Sequence, residues 1–68
     1  MSQVFKSIEL VGVSNEGFAE AVRVAVERAG STVRNLRWLE VIDQRAQIDG
    51  DEVREFQASV RVWFELEP

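Results

Sequence analysis

The chain contains no cysteine, so it has no disulfide and no thiolate metal site. It contains no histidine either. Serine–histidine triads, the usual zinc sites and the common acid–base residue at neutral pH are therefore excluded. There is no excess of positive charge. The net charge is −4, with acidic and basic residues interspersed, whereas a nucleic-acid-binding module is normally basic. No apolar run approaches the ~20 residues of a membrane span, and no signal peptide is visible, so a cytoplasmic location is expected. Repeats, low-complexity stretches and linkers are also absent.

What remains is 68 residues, the size of one small domain spanning 1–68. A chain this short buries only about 60% of its unfolded surface. A small fold without disulfides or a structural metal is usually supported by a bound cofactor or by oligomerisation.

Residues Val4 to Val13 read as a first strand. Ile8 and Leu10 share one face, and Phe5, Ser7, Glu9 and Val11 take the other. Gly12 and Ser14-Asn15 break this pattern, and Ser14 or Asn15 is the expected helix N-cap. A helix to about Ala29 follows, with Phe18, Ala21, Val22, Ala25 and Ala29 on one stripe. Gly30 is expected to stop it as a C′ glycine. A second strand from about Leu36 to Ile48 meets Asp49-Gly50-Asp51, a hairpin turn signal. The third strand alternates most cleanly. Phe56, Ala58, Val60, Val62, Phe64 and Leu66 face one way, opposite Glu55, Gln57, Ser59, Arg61, Trp63 and Glu65.

The expected fold is α+β, in the order β-α-β-β. A three-stranded antiparallel sheet partly wraps one helix, and its far face stays uncovered. That face carries Trp38, Ile42, Gln57 and Trp63. Aromatics separated by polar groups suit a surface that another molecule covers. Trp38 is the most informative of them. Its neighbours two residues away, Leu36 and Glu40, make its face mixed, and a flat indole there can serve as a core residue or as a stacking surface. Trp63, close to the last strand's end, suits subunit contact better than stacking. Asp49 and Asp51 fit the turn itself, and no metal site is expected there.

Taken together, these residues resemble the dodecins, small flavin-binding proteins that assemble as hollow dodecamers. The resemblance runs through Val4-Phe5-Lys6, Glu9-Leu10-Val11-Gly12-Val13-Ser14 and Arg28-Ala29. It continues in Thr32-Val33-Arg34-Asn35-Leu36-Arg37-Trp38-Leu39-Glu40-Val41, Phe56-Gln57 and Val62-Trp63-Phe64-Glu65-Leu66. It implies a homododecamer with flavins stacked between tryptophans of symmetry-related chains. Trp38 is then the stacking residue, and Gln57 bonds the polar edge of the ring. A primary amide offers both a donor and an acceptor to that edge.

The resemblance also places Arg45 near the pocket mouth, toward the ribityl chain or a phosphate. Asp43 and Gln47, which share the strand face of Arg45 by alternation, can bond ribityl hydroxyls. Riboflavin, FMN and lumichrome share the ring, so each is a candidate ligand. Some bacterial members with a basic residue at position 65 bind coenzyme A nearby; Glu65 puts such a site in doubt. No catalytic residue is expected, and the implied role is flavin storage and photoprotection. A structural oligomer without flavin is the alternative.

Overall fold

The computed structural model describes residues 2–68, in the order β1 (Phe5–Ser14), α1 (Phe18–Gly30), β2 (Leu36–Asp49) and β3 (Glu52–Glu65). The three strands form one antiparallel sheet in the order β1-β3-β2. The expected β-α-β-β architecture is the one observed. The cleanly alternating strand, β3, occupies the centre.

The helix stripe meets the sheet as its spacing requires. Ala21, Ala25 and Ala29 are buried on α1, and Ala58, Val60 and Val62 are buried on β3. Ile8, Leu10, Val22, Leu36 and Leu39 pack around this centre. Alanines on the helix let its backbone lie close to the sheet. The approach is tightest at Gly12, where a Cβ would fall 1.8 Å from the Ala21 carbonyl oxygen. Gly12 therefore does not break β1, as the sequence pattern suggested. It continues the strand and leaves room for the helix.

The helix ends differ from expectation. Ser14 and Asn15 do not cap it. Gly17 occupies the N-cap position without a side-chain cap, while the Ser14 hydroxyl accepts the Glu16 N–H at 3.0 Å in a local turn. Two further residues are needed to turn the chain from β1 onto the helix axis. At the other end Gly30 stays helical, and Ser31 is the C-cap with φ −75°. The last carbonyls are met by Ser31 Oγ on Arg28 at 2.7 Å and by the Val33 N–H on Ala29 at 2.9 Å. No left-handed glycine is needed to close the helix. The left-handed residue is Asn35, φ 66°, which redirects the chain into β2.

The hairpin turn falls where expected. Asp49 pairs with Glu52, and Gly50 supplies a positive φ of 66° at the first turn position. Beyond the helix, β2 and β3 continue as a two-stranded arm. Every residue from Glu40 to Arg54 is exposed. The arm stretches the molecule to 54 × 20 × 13 Å, with a radius of gyration of 14.1 Å. A compact chain of this length would have a radius near ~11 Å. Among the described residues no helix is long and apolar enough to cross a membrane.

Candidate functional site

Side chains directly opposite one another in an antiparallel ladder lie on the same face. The register therefore assigns each candidate to a face. On β3 the even-numbered residues Phe56 to Phe64 lie on the helix side, and Gln57, Ser59, Arg61 and Trp63 lie on the open side. Trp38 is opposite Trp63, Asp43 opposite Ser59, Arg45 opposite Gln57 and Gln47 opposite Glu55. All five expected residues thus share the open face.

Simple alternation along β2 would not place them together, because Trp38 is even-numbered and Asp43, Arg45 and Gln47 are odd-numbered. Three register shifts resolve the conflict. They fall between Leu36 and Trp38, between Val41 and Asp43, and between Gln47 and Ile48. Each is a bulge in which one strand carries an extra residue: Arg37, Ile42 and, on β3, Arg54. The bulge at Ile42 turns Asp43, Arg45 and Gln47 onto the face of Trp38. The bulge at Arg37 sends Leu36 the other way. Leu36 pairs with Phe64 and packs against the core, so it does not share the face of Trp38 as expected.

At one end of the open face the aromatics cluster. The Trp38 and Trp63 rings stack with centroids 6.1 Å apart and planes 25° apart. Phe5, on β1, lies against Trp38 at 4.8 Å with a 51° tilt. Trp38 remains 49% exposed, enough to present a ring face. Trp63 donates its Nε1–H to Glu40 Oε1 at 2.7 Å. The next row is ionic. Arg61 bridges Glu9 at 2.7 Å and Glu40 at 3.9 Å. The hydrogen bond to Glu9 holds the Arg61 pKa above its ordinary value, outweighing desolvation, and the Glu9 and Glu40 charges add to it.

A second polar constellation lies farther along the hairpin. Arg45 Nε donates to Gln57 Oε1 at 2.7 Å, and Gln57 Nε2 donates to Glu55 Oε2 at 2.9 Å. This chain of bonds fixes which end of the amide faces Arg45. Asp43 and Gln47 flank Arg45 on the same face. Six residues of β3 separate Gln57 from Trp63, or about 20 Å at the usual strand rise. The indole pair and the amide of one chain therefore cannot meet the same small ring. A hollow of about 520 Å³ does exist within the chain, but it lies between the two termini at Gln3, Val4 and Leu66. Neither Trp38 nor Gln57 lines it.

Glu65 accepts from Arg37 at 2.8 Å and from Gln3 at 3.1 Å, so its carboxylate is engaged within the chain. Among the described residues no three His, Cys, Asp or Glu side chains converge on a metal-sized site. The sequence reading missed Phe5, Glu40 and Glu55, and assigned Trp63 to subunit contact. For Trp63 a signal was available. Counting back from the Gly50 turn places Trp38 opposite Trp63, because the shifts at Arg54 and Ile42 cancel.

Comparison with known proteins follows the same outline. Residues 4–67 match the Dodecin family model. A Thermus thermophilus dodecin is 43% identical over 67 residues, covering 98% of this chain and 97% of its own. The crystal structure of a Thermus thermophilus protein superposes with a TM-score of 0.94 at 42% identity, covering 98% of each chain. The Streptomyces davaonensis dodecin superposes with a TM-score of 0.95 at 31% identity over the full length of both.

Proposed function

This chain belongs to the dodecin family, and on that premise we propose that residues 1–68 act as one flavin-binding domain. It binds riboflavin or FMN, or a breakdown product such as lumichrome, without turning over a substrate. Its role is to store flavin and shield it from light. The chains assemble as a hollow homododecamer, and the expected location is the cytoplasm.

The observation that carries this reading is the layout of the open face. A half-exposed Trp38 and a hydrogen-bonded Gln57 share that face but lie too far apart to serve one ring within one chain. The projecting arm and the enlarged radius of gyration support a chain made to be covered by copies of itself. A pocket built between copies satisfies both. Trp38 side chains of two chains stack on the isoalloxazine, and Gln57 meets its polar edge. Arg45 reaches the ribityl chain or phosphate, with Asp43 and Gln47 near the ribityl hydroxyls. The bound flavin supplies a ring that an adjacent indole can quench by electron transfer. This chain supplies the stacking face, the amide and the exclusion of water. The chain has neither a histidine nor a thiol to set beside the ring. The acidic residue at position 65, engaged by Arg37, disfavours a coenzyme A site.

Titration of apoprotein into riboflavin and then FMN tests this reading. Quenching that saturates near one flavin per chain is expected. Trp38→Ala should weaken binding by about 5- to 150-fold, the range for loss of one aromatic stack, while sedimentation still reports the assembly. Absence of quenching with both flavins would leave the structural oligomer as the better account. Oxidation of reduced nicotinamide by the flavin-loaded protein would overturn the non-enzymatic role.

A further inference from the structure

We propose that Trp63 is a positioning residue for the ligand, acting through Trp38: it backs one face of that indole and sets its plane, and Glu40 locks the pair. The proposal rests on the flavin-stacking role of Trp38 and adds a part to that site. Three observations carry it. The two rings are stacked at 6.1 Å and 25°, within the usual range for offset aromatic pairs. They sit directly opposite one another on adjacent strands, so the backbone holds them together without help from a loop. Trp63 Nε1–H is fixed on Glu40 Oε1 at 2.7 Å, and Arg61 lies beside that carboxylate at 3.9 Å.

The consequence is mechanical. A tryptophan alone on a sheet face samples several rotamers, and a flat ligand must select one. Phe5 limits the swing of Trp38 from the β1 side, and Trp63 limits it from β3. The indole is then pre-set with one face covered and its other face open, in keeping with its 49% exposure. The platform that meets a flat, electron-poor ring is therefore a two-indole pair. Immobilising a side chain on binding carries an entropic penalty, and removing that penalty in advance strengthens binding about three- to tenfold.

The test uses the assembled apoprotein and three variants: Trp63→Ala, Trp63→Phe and Glu40→Ala. Two indoles this close couple through their strong far-ultraviolet transition, so the far-ultraviolet circular dichroism of wild-type apoprotein should show a couplet. Both Trp63 variants should lose it, and Glu40→Ala should weaken it. Riboflavin affinity should fall about three- to tenfold in Trp63→Ala. Trp63→Phe, which keeps a ring behind Trp38 but has no N–H for Glu40, should recover part of that loss. If Trp63→Ala does not assemble, the two milder variants decide. Wild-type affinity in both of them, or no couplet in the wild type, overturns the proposal. A wild type that shows the couplet but quenches no flavin refutes the flavin reading instead, leaving a locked indole pair without that ligand.

Discussion

The two faces of the sheet differ in where their large side chains sit. The face under α1 is apolar throughout, and where the helix lies closest its residues are small, with Phe56, edge-on to Phe18, and Phe64 on either side along β3. Its fully buried members are alanines and valines, and the largest are only Val60 and Val62. The open face carries Trp38, Trp63 and Phe5, together with ion pairs such as Arg61–Glu9. In an ordinary domain of this size the large aromatics would fill the core and supply most of the hydrophobic stabilisation. Here the fully buried residues allow closeness between backbones, Phe18, Phe56 and Phe64 are half-buried around them, and both tryptophans lie on the open face. The helix side serves to hold the strands in place. The open side presents rings and charges to solvent, and the proposed site draws on both.

The comparison breaks most severely at Gly12. The helix carbonyl of Ala21 lies where a side chain at position 12 would begin. Backbone cannot yield as the tip of a side chain can, so Gly12→Ala must push α1 off the sheet. We expect a loss of about 3 kcal/mol or more, in the upper range for overpacking. Denaturant unfolding of the purified protein, with sedimentation to report assembly, measures it. A loss below about 1 kcal/mol would mean that the helix seat is loose and that the small core residues serve no close approach.

The same two faces were unequally legible in the sequence. The helix side followed from periodicity, because Ala21, Ala25 and Ala29 and the alternating Ala58, Val60 and Val62 obey the helix and strand repeats without exception. The open face depends on bulges, and a bulge leaves no periodic signature. Nothing in the residue types of Ile42 or Arg54 announces that one of them is skipped by its partner strand. Strict counting from Gly50 would set Gln44 beside Gln57 and turn Arg45 toward the helix side. The Arg54 bulge brings Arg45 to Gln57, and the Ile42 bulge restores the register so that Trp38 meets Trp63. The roles proposed for Trp38, Gln57 and Arg45 came from the family resemblance. Their placement on one face comes from these irregularities. The N-cap was misplaced for a related reason: Ser14 has a capping residue's chemistry, but the chain spends it on a turn before the helix begins.

A smaller effect is expected at Arg45, and it sharpens the contrast within the open face itself. Its guanidinium has five N–H donors, and the Nε–H goes to Gln57 at 2.7 Å. If the outer donors reach a ligand phosphate, Arg45→Ala should weaken FMN about 1.5- to fivefold more than riboflavin, the scale of one exposed ion pair. Parallel titrations with the two flavins read this ratio directly. Equal losses for both would assign Arg45 to orienting the Gln57 amide alone. Unchanged binding of both would remove it from the site.

The smallest effect should come from a pair that belongs to neither face. Arg34 and Glu67 join the α1–β2 connection to the chain's end at 2.7 Å, but their side chains are 81% and 56% exposed. Water and salt screen such a pair, and holding two long side chains together costs rotamer freedom. Arg34→Ala should therefore shift stability by less than about 0.5 kcal/mol. Arg37–Glu65, one step nearer the aromatics, has a less exposed carboxylate at 23% and should be worth more than its neighbour. Denaturant melts of the two alanine variants, each at low and high salt, test the order. An Arg34 effect above about 1 kcal/mol that survives high salt would require that the pair be sheltered from solvent. In the proposed assembly another copy of the chain would provide that shelter, so that outcome would extend the proposed covered surface from the open face around to the termini.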